Sequence, residues 1–150
     1  MAPGIEIVPV TDAVGAVIEP VWLDRAEPVH RQLRPGLPSA YGERLRQIFA
    51  NGGRFAVVAE GAEVRAVALW RVVENTYEGR RLYVDDLVTD EARRSSGFGK
   101  RLLDWLAEQA RRLDCDVLAL DSGVQRSEAH SFYFREGMRI PAFCFRKPLK

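Results

Sequence analysis

The residues best suited to chemistry in this chain stand in one run. Ser95-Ser96-Gly97-Phe98-Gly99-Lys100 follows an apolar stretch and opens an amphipathic one, and Arg93, Arg94 and Arg101 surround it with positive charge. Where a strand gives way to a helix, the first amides of the helix have no intrahelical acceptor and its dipole adds positive potential. Such a turn accepts an anion. Gly97 and Gly99 lack a Cβ, so a phosphate can come close to the main chain. The run is not a Walker A loop, because Gly-Phe-Gly-Lys-Arg lacks the four-residue spacer and the Ser or Thr after Lys. The chemistry it predicts is the binding of a phosphate-bearing molecule. Just upstream, Asp85 and Asp86 interrupt an apolar run that ends in Leu87-Val88-Thr89.

The elements that must hold this turn can be read on both sides of it. Arg81 to Thr89 alternates as a strand, and Gly99, Leu103, Leu106, Ala110 and Leu113 recur at steps of three and four, a helix laid on a sheet. Val117 to Leu120 is a short apolar strand, expected to be covered on both faces. Residues 81–120 therefore form a βαβ unit with a parallel pair. Upstream, Phe55 to Ala59 and Val64 to Val73 make an antiparallel hairpin across Glu60-Gly61-Ala62. Ile5 to Val10 is a first strand, followed by a helix capped by Thr11 or Asp12 in which Val14, Val17, Val21 and Trp22 share a face, although Pro20 interrupts it. A second helix runs from Ala40 to Ala50 and ends at Asn51-Gly52-Gly53. Arg34 to Pro38 and Glu74 to Gly79 are connections. Downstream, Ser127 caps a helix carrying Ala129, Phe132 and Tyr133 that stops at Gly137, and Arg139 to Lys147 reads as a last strand broken near Pro141.

At 150 residues, 47% hydrophobic and 29% charged, the chain has the size and composition of one soluble globular domain over residues 1–150. Its 22 Lys plus Arg nearly cancel its 21 Asp plus Glu, which argues against nucleic acid or an anionic membrane as partner. No signal-peptide pattern or membrane-spanning apolar run is present, and the expectation is a cytoplasmic protein. Cys115 and Cys144 are far apart and lack clustered ligands, so neither a metal site nor a disulfide framework is expected.

Arg94-Ser95-Ser96-Gly97-Phe98-Gly99 resembles the Arg/Gln-x-x-Gly-x-Gly/Ala signature of the GCN5-related N-acetyltransferase (GNAT) superfamily. Leu87-Val88-Thr89 looks like that family's fourth strand, and Ala129-His130-Ser131-Phe132-Tyr133 with Gly137-Met138 looks like its Ala-x-x-Phe-Tyr…Gly-Phe segment. Together the three cover residues 81–148. The resemblance implies an α/β fold: a mixed sheet of six or seven strands, antiparallel at the N-terminal side, with a splayed parallel pair of fourth and fifth strands and about four flanking helices. It implies acetyl-CoA as co-substrate, with the pyrophosphate on the amides of Ser95, Ser96, Gly97, Phe98, Gly99 and Lys100, Arg94 beside it, and the pantetheine arm along Leu87, Val88 and Thr89. It also leaves a homodimer open, since family members are often dimers.

Acetyl transfer to an amine needs an unprotonated nitrogen, donors for the developing oxyanion and a proton for the departing thiolate. On the resemblance, Tyr133 is the acid for the thiolate, and a backbone N–H near Leu87 or Val88 is the oxyanion donor. Asp85 and Asp86 are the carboxylates nearest the acetyl position. Strand alternation points them to opposite faces, and Asp85 is favoured because it shares the face of Tyr83 and Leu87. Many members carry Glu where this chain has Tyr83; Asp121, at the end of the fifth strand, is a further candidate base. Nothing of ligand or nucleophile type is placed to partner His30 or His130, which read as structural or exposed. Trp22, Tyr41 and Trp70 read as core or pocket wall. The function expected is acetyl transfer to a small-molecule amine. The alternatives are a protein N-terminus or lysine as acceptor, and a non-catalytic acyl-CoA sensor.

Overall fold

Residues 3–150, which the computed structural model describes, form five strands and four α-helices. In chain order these are β1 (Ile5–Pro9), α1 (Pro20–Leu33), α2 (Tyr41–Ala50), β2 (Arg54–Glu60), β3 (Glu63–Asn75), β4 (Gly79–Thr89), α3 (Phe98–Arg112), β5 (Val117–Leu120) and α4 (Ser127–Arg135), with a short 3-10 turn at Glu91–Arg93. The chain divides into two compact units, one reaching to Ala119 and one from Leu120 to Lys150.

In the first unit the sheet order is β1-β2-β3-β4-β5. The β1/β2, β2/β3 and β3/β4 pairs are antiparallel. β5 runs parallel to β4, as a crossover through α3 requires, and its start is tied by the Asp116 N–H donating to the Arg80 carbonyl. Each of its four residues is half-buried. The expectation of complete cover on both faces is therefore not met.

The core under α1 and α2 is apolar: Leu23, Ala26 and Val29 from α1 and Leu45 and Phe49 from α2 pack with Val67, Leu69 and Val88. The opposite face is covered by α3, whose Leu102, Leu103, Leu106 and Ala110 are buried. There Trp105 meets Trp70 of β3 edge-on, with ring centroids 5.3 Å apart.

One irregularity decides where the acidic residues point. Leu69 pairs with Asp86, but the next residue, Trp70, pairs with Val84, so Asp85 is the extra residue of a β-bulge. Directly opposed residues share a face. Before the bulge, Leu82 and Val84 therefore lie with Val72 and Trp70 on the α3 face. After it, Asp86 and Val88 lie with Leu69 and Val67 on the α1 face. Simple alternation across 83–87 fails for this reason. Tyr83, opposite Arg71, and Leu87, opposite Ala68, occupy different faces.

Further differences from the sequence reading have local causes. Pro20 does not interrupt the first helix but starts it, since proline at N1 sacrifices no hydrogen bond and has the right φ. Thr11 and Asp12 belong instead to the preceding loop, where Thr11 bridges Val17 and the Asp12 carboxylate accepts from the Val14 and Ala16 amides. In the second unit, α4 ends at Gly137, whose φ of 84° suits glycine. The expected last strand is not formed: residues 138–150 have no regular structure, and the sheet has five strands rather than six or seven. Pro141 and Pro148 each remove an N–H from this segment. Phe143 and Phe145 within it are exposed.

Candidate functional site

One residue beyond the bulge, Asp86 is buried and held from two sides. The His30 Nε2–H donates to its Oδ2 at 2.7 Å, and Arg34 Nε donates to its Oδ1 at 2.7 Å. Behind His30, the Tyr41 hydroxyl stands 2.8 Å from Nδ1. The imidazole stacks on Phe55 with ring centroids 5.6 Å apart and is 1% exposed. Helix α1 makes this possible, because His30 stands in its last turn and Arg34 is its C-cap, whose N–H bonds back to the His30 carbonyl. Burial alone would raise the Asp86 carboxyl, but the hydrogen bonds from His30 and Arg34 and the guanidinium charge of Arg34 outweigh it and hold the group below the usual carboxylate range. Burial pushes the Tyr41 phenol far up, helped by the negative charges of Glu27 and Asp86, so Tyr41 stays protonated.

Asp86 also reaches an open cleft of about 810 Å³ between the end of α1, the 34–40 connection, α2 and β4. Arg34, Arg44, Gln47, Leu37 and Ile48 line it as well. Asp85, in contrast, is committed to Arg71, which donates from Nε (2.8 Å) and Nη2 (2.6 Å) to its Oδ2. Of the acidic pair, the bulge delivers Asp86 rather than the favoured Asp85 to the cleft.

The same strand leads to the glycine turn. Leu87, Val88 and Thr89 pair with Ala68, Val67 and Ala66 on the β3 side. On the other side β5, four residues long and starting level with Arg80, cannot accompany the eleven residues of β4 to their end. The turn is tied to α1: the Glu91 N–H donates to Gln32 Oε1, and Gln32 Nε2 donates to Asp90 Oδ1. Arg94, Ser95, Ser96 and Gly97 are exposed. Gly97 adopts the left-handed conformation (φ 83°, ψ 5°) as N-cap of α3, no side chain among the described residues caps the helix, and its first bond is from the Arg101 N–H to the Gly97 carbonyl. The amides of Phe98 and Gly99 thus precede the first intrahelical bond. A Cβ built on Gly97 would meet nothing within 4 Å, so the turn faces open space. The Lys100 ammonium turns away to Asp104, 3.1 Å off on the helix surface.

In the second unit, Tyr133 lies on α4, half-buried, its ring 5.3 Å from that of Phe132. Burial pushes its phenol up, with Arg126 acting in the opposite sense. Asp121 is exposed and ion-paired with Arg146 at 3.2 Å. Cys115 is half-buried and Cys144 exposed, both as free thiols. Among the described residues no three His, Cys, Asp or Glu side chains cluster as a metal site, and no helix is long and apolar enough to cross a membrane.

The sequence reading missed His30, Arg34 and Arg44. His30 does have a partner, contrary to expectation. The available signal was Asp86 itself, a carboxylate between Val84 and Val88 in an apolar strand, which must find a donor if buried.

The sequence pattern of the Acetyltransferase (GNAT) family matches residues 21–138. An uncharacterized N-acetyltransferase of Bacillus subtilis, YhdJ, is 41% identical over 93 residues, 60% of this chain and 64% of that protein. An aminoalkylphosphonate N-acetyltransferase of Salmonella typhimurium is 35% identical over 66 residues, 44% of this chain and 43% of that protein. The matches thus span less than two thirds of either curated relative. Among solved structures, an aminoglycoside N-acetyltransferase in complex with CoA has a TM-score of 0.80 at 14% identity, covering 98% of this chain and 97% of that one. An acetyltransferase of Trypanosoma brucei has a TM-score of 0.77 at 22% identity, covering 97% and 100%. At these identities the likeness is one of fold. With the family pattern running from α1 to Met138, across the bulged β4 and the glycine turn, the chain belongs to the GNAT family of acetyltransferases.

Proposed function

We propose that this chain transfers an acetyl group from acetyl-CoA to the primary amine of a small molecule by direct attack with both substrates bound, and that residues 1–150 act as one acetyltransferase domain. The observation that carries the reading is the arrangement along β4. Its bulge turns Asp86 into an open cleft, and the same strand continues through Leu87–Thr89 to an uncapped helix start. Both curated relatives are named N-acetyltransferases.

The residues present fit the donor. Open space before Gly97 and the amides of Phe98 and Gly99 suit a pyrophosphate, with Arg93 and Arg94 exposed alongside. The outer edge of β4 at Leu87–Thr89 offers main-chain groups to an amide-bearing arm. When bound, acetyl-CoA supplies an activated carbonyl and a thiolate leaving group. An N–H near Leu87 or Val88 then serves as donor to the carbonyl oxygen. Asp86 receives the acceptor nitrogen. Held ionised by His30 and Arg34, it attracts an ammonium but keeps a proton poorly, so the proton passes on to water. For an amine of pKa about 10.4, deprotonation at pH 7.4 costs about 4 kcal/mol, which this placement has to offset. Tyr133 protonates the thiolate, and the proton that the attacking nitrogen sheds as the amide forms restores the phenol by way of water. Asp85, bound to Arg71, and Asp121, bound to Arg146, serve structure in this scheme.

Calorimetric titration with acetyl-CoA tests the donor site. Wild type binds and Gly97→Trp, which fills the space before the turn, does not; equal binding by both refutes the placement.

A further inference from the structure

Amine acceptors come in opposite charge types, and the relatives do not choose between them: an aminoalkylphosphonate carries an anionic group beside its amine, whereas an aminoglycoside carries several amines. The charges of the cleft do choose. Three charged side chains line it, Arg34, Arg44 and Asp86. Asp86, accepting from both Arg34 and His30, brings one negative charge to the cleft, enough to face a single ammonium, against the two positive charges of Arg34 and Arg44. Arg34 uses Nε on Asp86 and one N–H of Nη2 on the Asp85 carbonyl (3.2 Å), which leaves three of its five donors. Arg44 has no carboxylate partner among the described residues. The one hydrogen bond of its side chain among the described residues is a long one, 3.4 Å, to Gln47 Oε1 on the next turn of α2. The cleft therefore holds a surplus positive charge. Leu37 and Ile48 add apolar surface to it.

From this juxtaposition we infer that the acceptor is a small amine that also bears an anionic group, a phosphonate, phosphate or carboxylate, with the amine at Asp86 and the anion at Arg44 and the free donors of Arg34. The inference rests on the acetyltransferase reading of the same site and deepens it. A polyamine would bring its second positive charge against Arg44 and Arg34, whereas a tetrahedral or planar oxyanion takes guanidinium donors directly. Gln47, beside Arg44, offers an amide N–H to the same oxyanion. The charge requirement selects against polycations as much as for the anion, because the two arginines repel what they do not bind.

The test is kcat/KM, followed by release of the CoA thiol, for 2-aminoethylphosphonate, β-alanine, n-propylamine and spermidine. The first two exceed n-propylamine, and spermidine is the poorest. Arg44→Ala narrows the preference for 2-aminoethylphosphonate over n-propylamine by about tenfold or more, the value of a charge-assisted contact. Arg44→Glu reverses it in favour of spermidine. Arg112→Ala, on the far end of α3, leaves the preference as it was. A lead for spermidine in wild type, or an equal fall for all four amines in Arg44→Ala, overturns the inference while leaving acetyl transfer intact. If no amine releases CoA, the acetyltransferase reading fails by itself. Calorimetry with 2-aminoethylphosphonate and with spermidine then decides the inference: binding of the former alone, lost in Arg44→Ala, upholds it, and any other pattern overturns it.

Discussion

Replacing Asp86 with Asn should cost far less than replacing it with Leu, for a reason that can be traced atom by atom. With the carboxylate in place, both neighbours donate: His30 from Nε2 and Arg34 from Nε. In Asp86→Asn the amide oxygen can face Arg34 and the NH2 group His30, provided that a neutral imidazole moves its proton from Nε2 to Nδ1. Tyr41, 2.8 Å from Nδ1, can follow by turning from donor to acceptor. The Arg34 bond keeps its cationic donor but loses the anionic acceptor, the His30 bond becomes neutral, and the buried Tyr41 hydroxyl hydrogen gives up its acceptor, for a loss of about 2 kcal/mol together. Leu leaves the buried His30 donor without a partner, also loses the bond to the half-exposed Arg34, and costs about 3–5 kcal/mol in all. For a chain of this length that corresponds to melting-point drops of roughly 4–8 °C and roughly 6–20 °C. Urea unfolding at pH 8 measures the energies, and nitrogen NMR of the imidazole reads which ring nitrogen bears hydrogen. The proton should sit on Nε2 in wild type and on Nδ1 in Asp86→Asn. Equal destabilisation by Asn and Leu, or an unmoved proton, would refute the network.

Tyr133→Phe should lower kcat at least tenfold and leave acetyl-CoA affinity unchanged in calorimetry; undiminished turnover removes Tyr133 from the mechanism. In wild type, kcat/KM for the amine should climb about tenfold per pH unit from pH 6 to about 9, following the free amine. Burial raises the Tyr133 phenol above its usual value near 10, so no loss of its proton cuts the climb short; a fall below pH 9 contradicts it as the acid. Because the folded-state pKa of Asp86 is depressed, its contribution to stability is present above the unfolded carboxyl value and lost as the pH falls through the folded one. The stability gap between wild type and Asp86→Asn should therefore shrink below about pH 4, and a gap that is the same at pH 3 and pH 7 counts against the ion pair. Leu106→Ala, at a fully buried position of α3, should cost about 2–5 kcal/mol in urea unfolding. A loss below 1 kcal/mol would mean that α3 is not packed as described.

The parts that were legible in the sequence are those set by local pattern. The spacing of Leu103, Leu106 and Ala110 placed α3, though it counted Leu113, which is exposed, and passed over Leu102, which is fully buried. Val117 to Leu120 and Ala40 to Ala50 came within a residue of β5 and α2. What escaped depends on contacts distant in the chain or on a single backbone irregularity. The bulge at Asp85 leaves no trace in the alternation of residues 82–88, yet it decides which carboxylate meets the cleft. His30 and Asp86 are 56 residues apart and meet only once α1 packs on β4. Pro20 was read as a breaker because its pattern does not distinguish the first turn of a helix from its middle. At the C-terminus, aromatic and apolar residues suggested a strand over Arg139 to Lys147 that does not form.

The central claim is that a bound amine takes the acetyl group of acetyl-CoA. Its most direct measurement is mass spectrometry of the products after incubation with acetyl-CoA and 2-aminoethylphosphonate, with free CoA counted in the same sample. The account predicts N-acetylated amine and CoA in equal amounts, both dependent on the amine and both abolished by Gly97→Trp. Tight binding of acetyl-CoA with no acetylated product from any amine of the panel would contradict it and leave a CoA-binding sensor in its place.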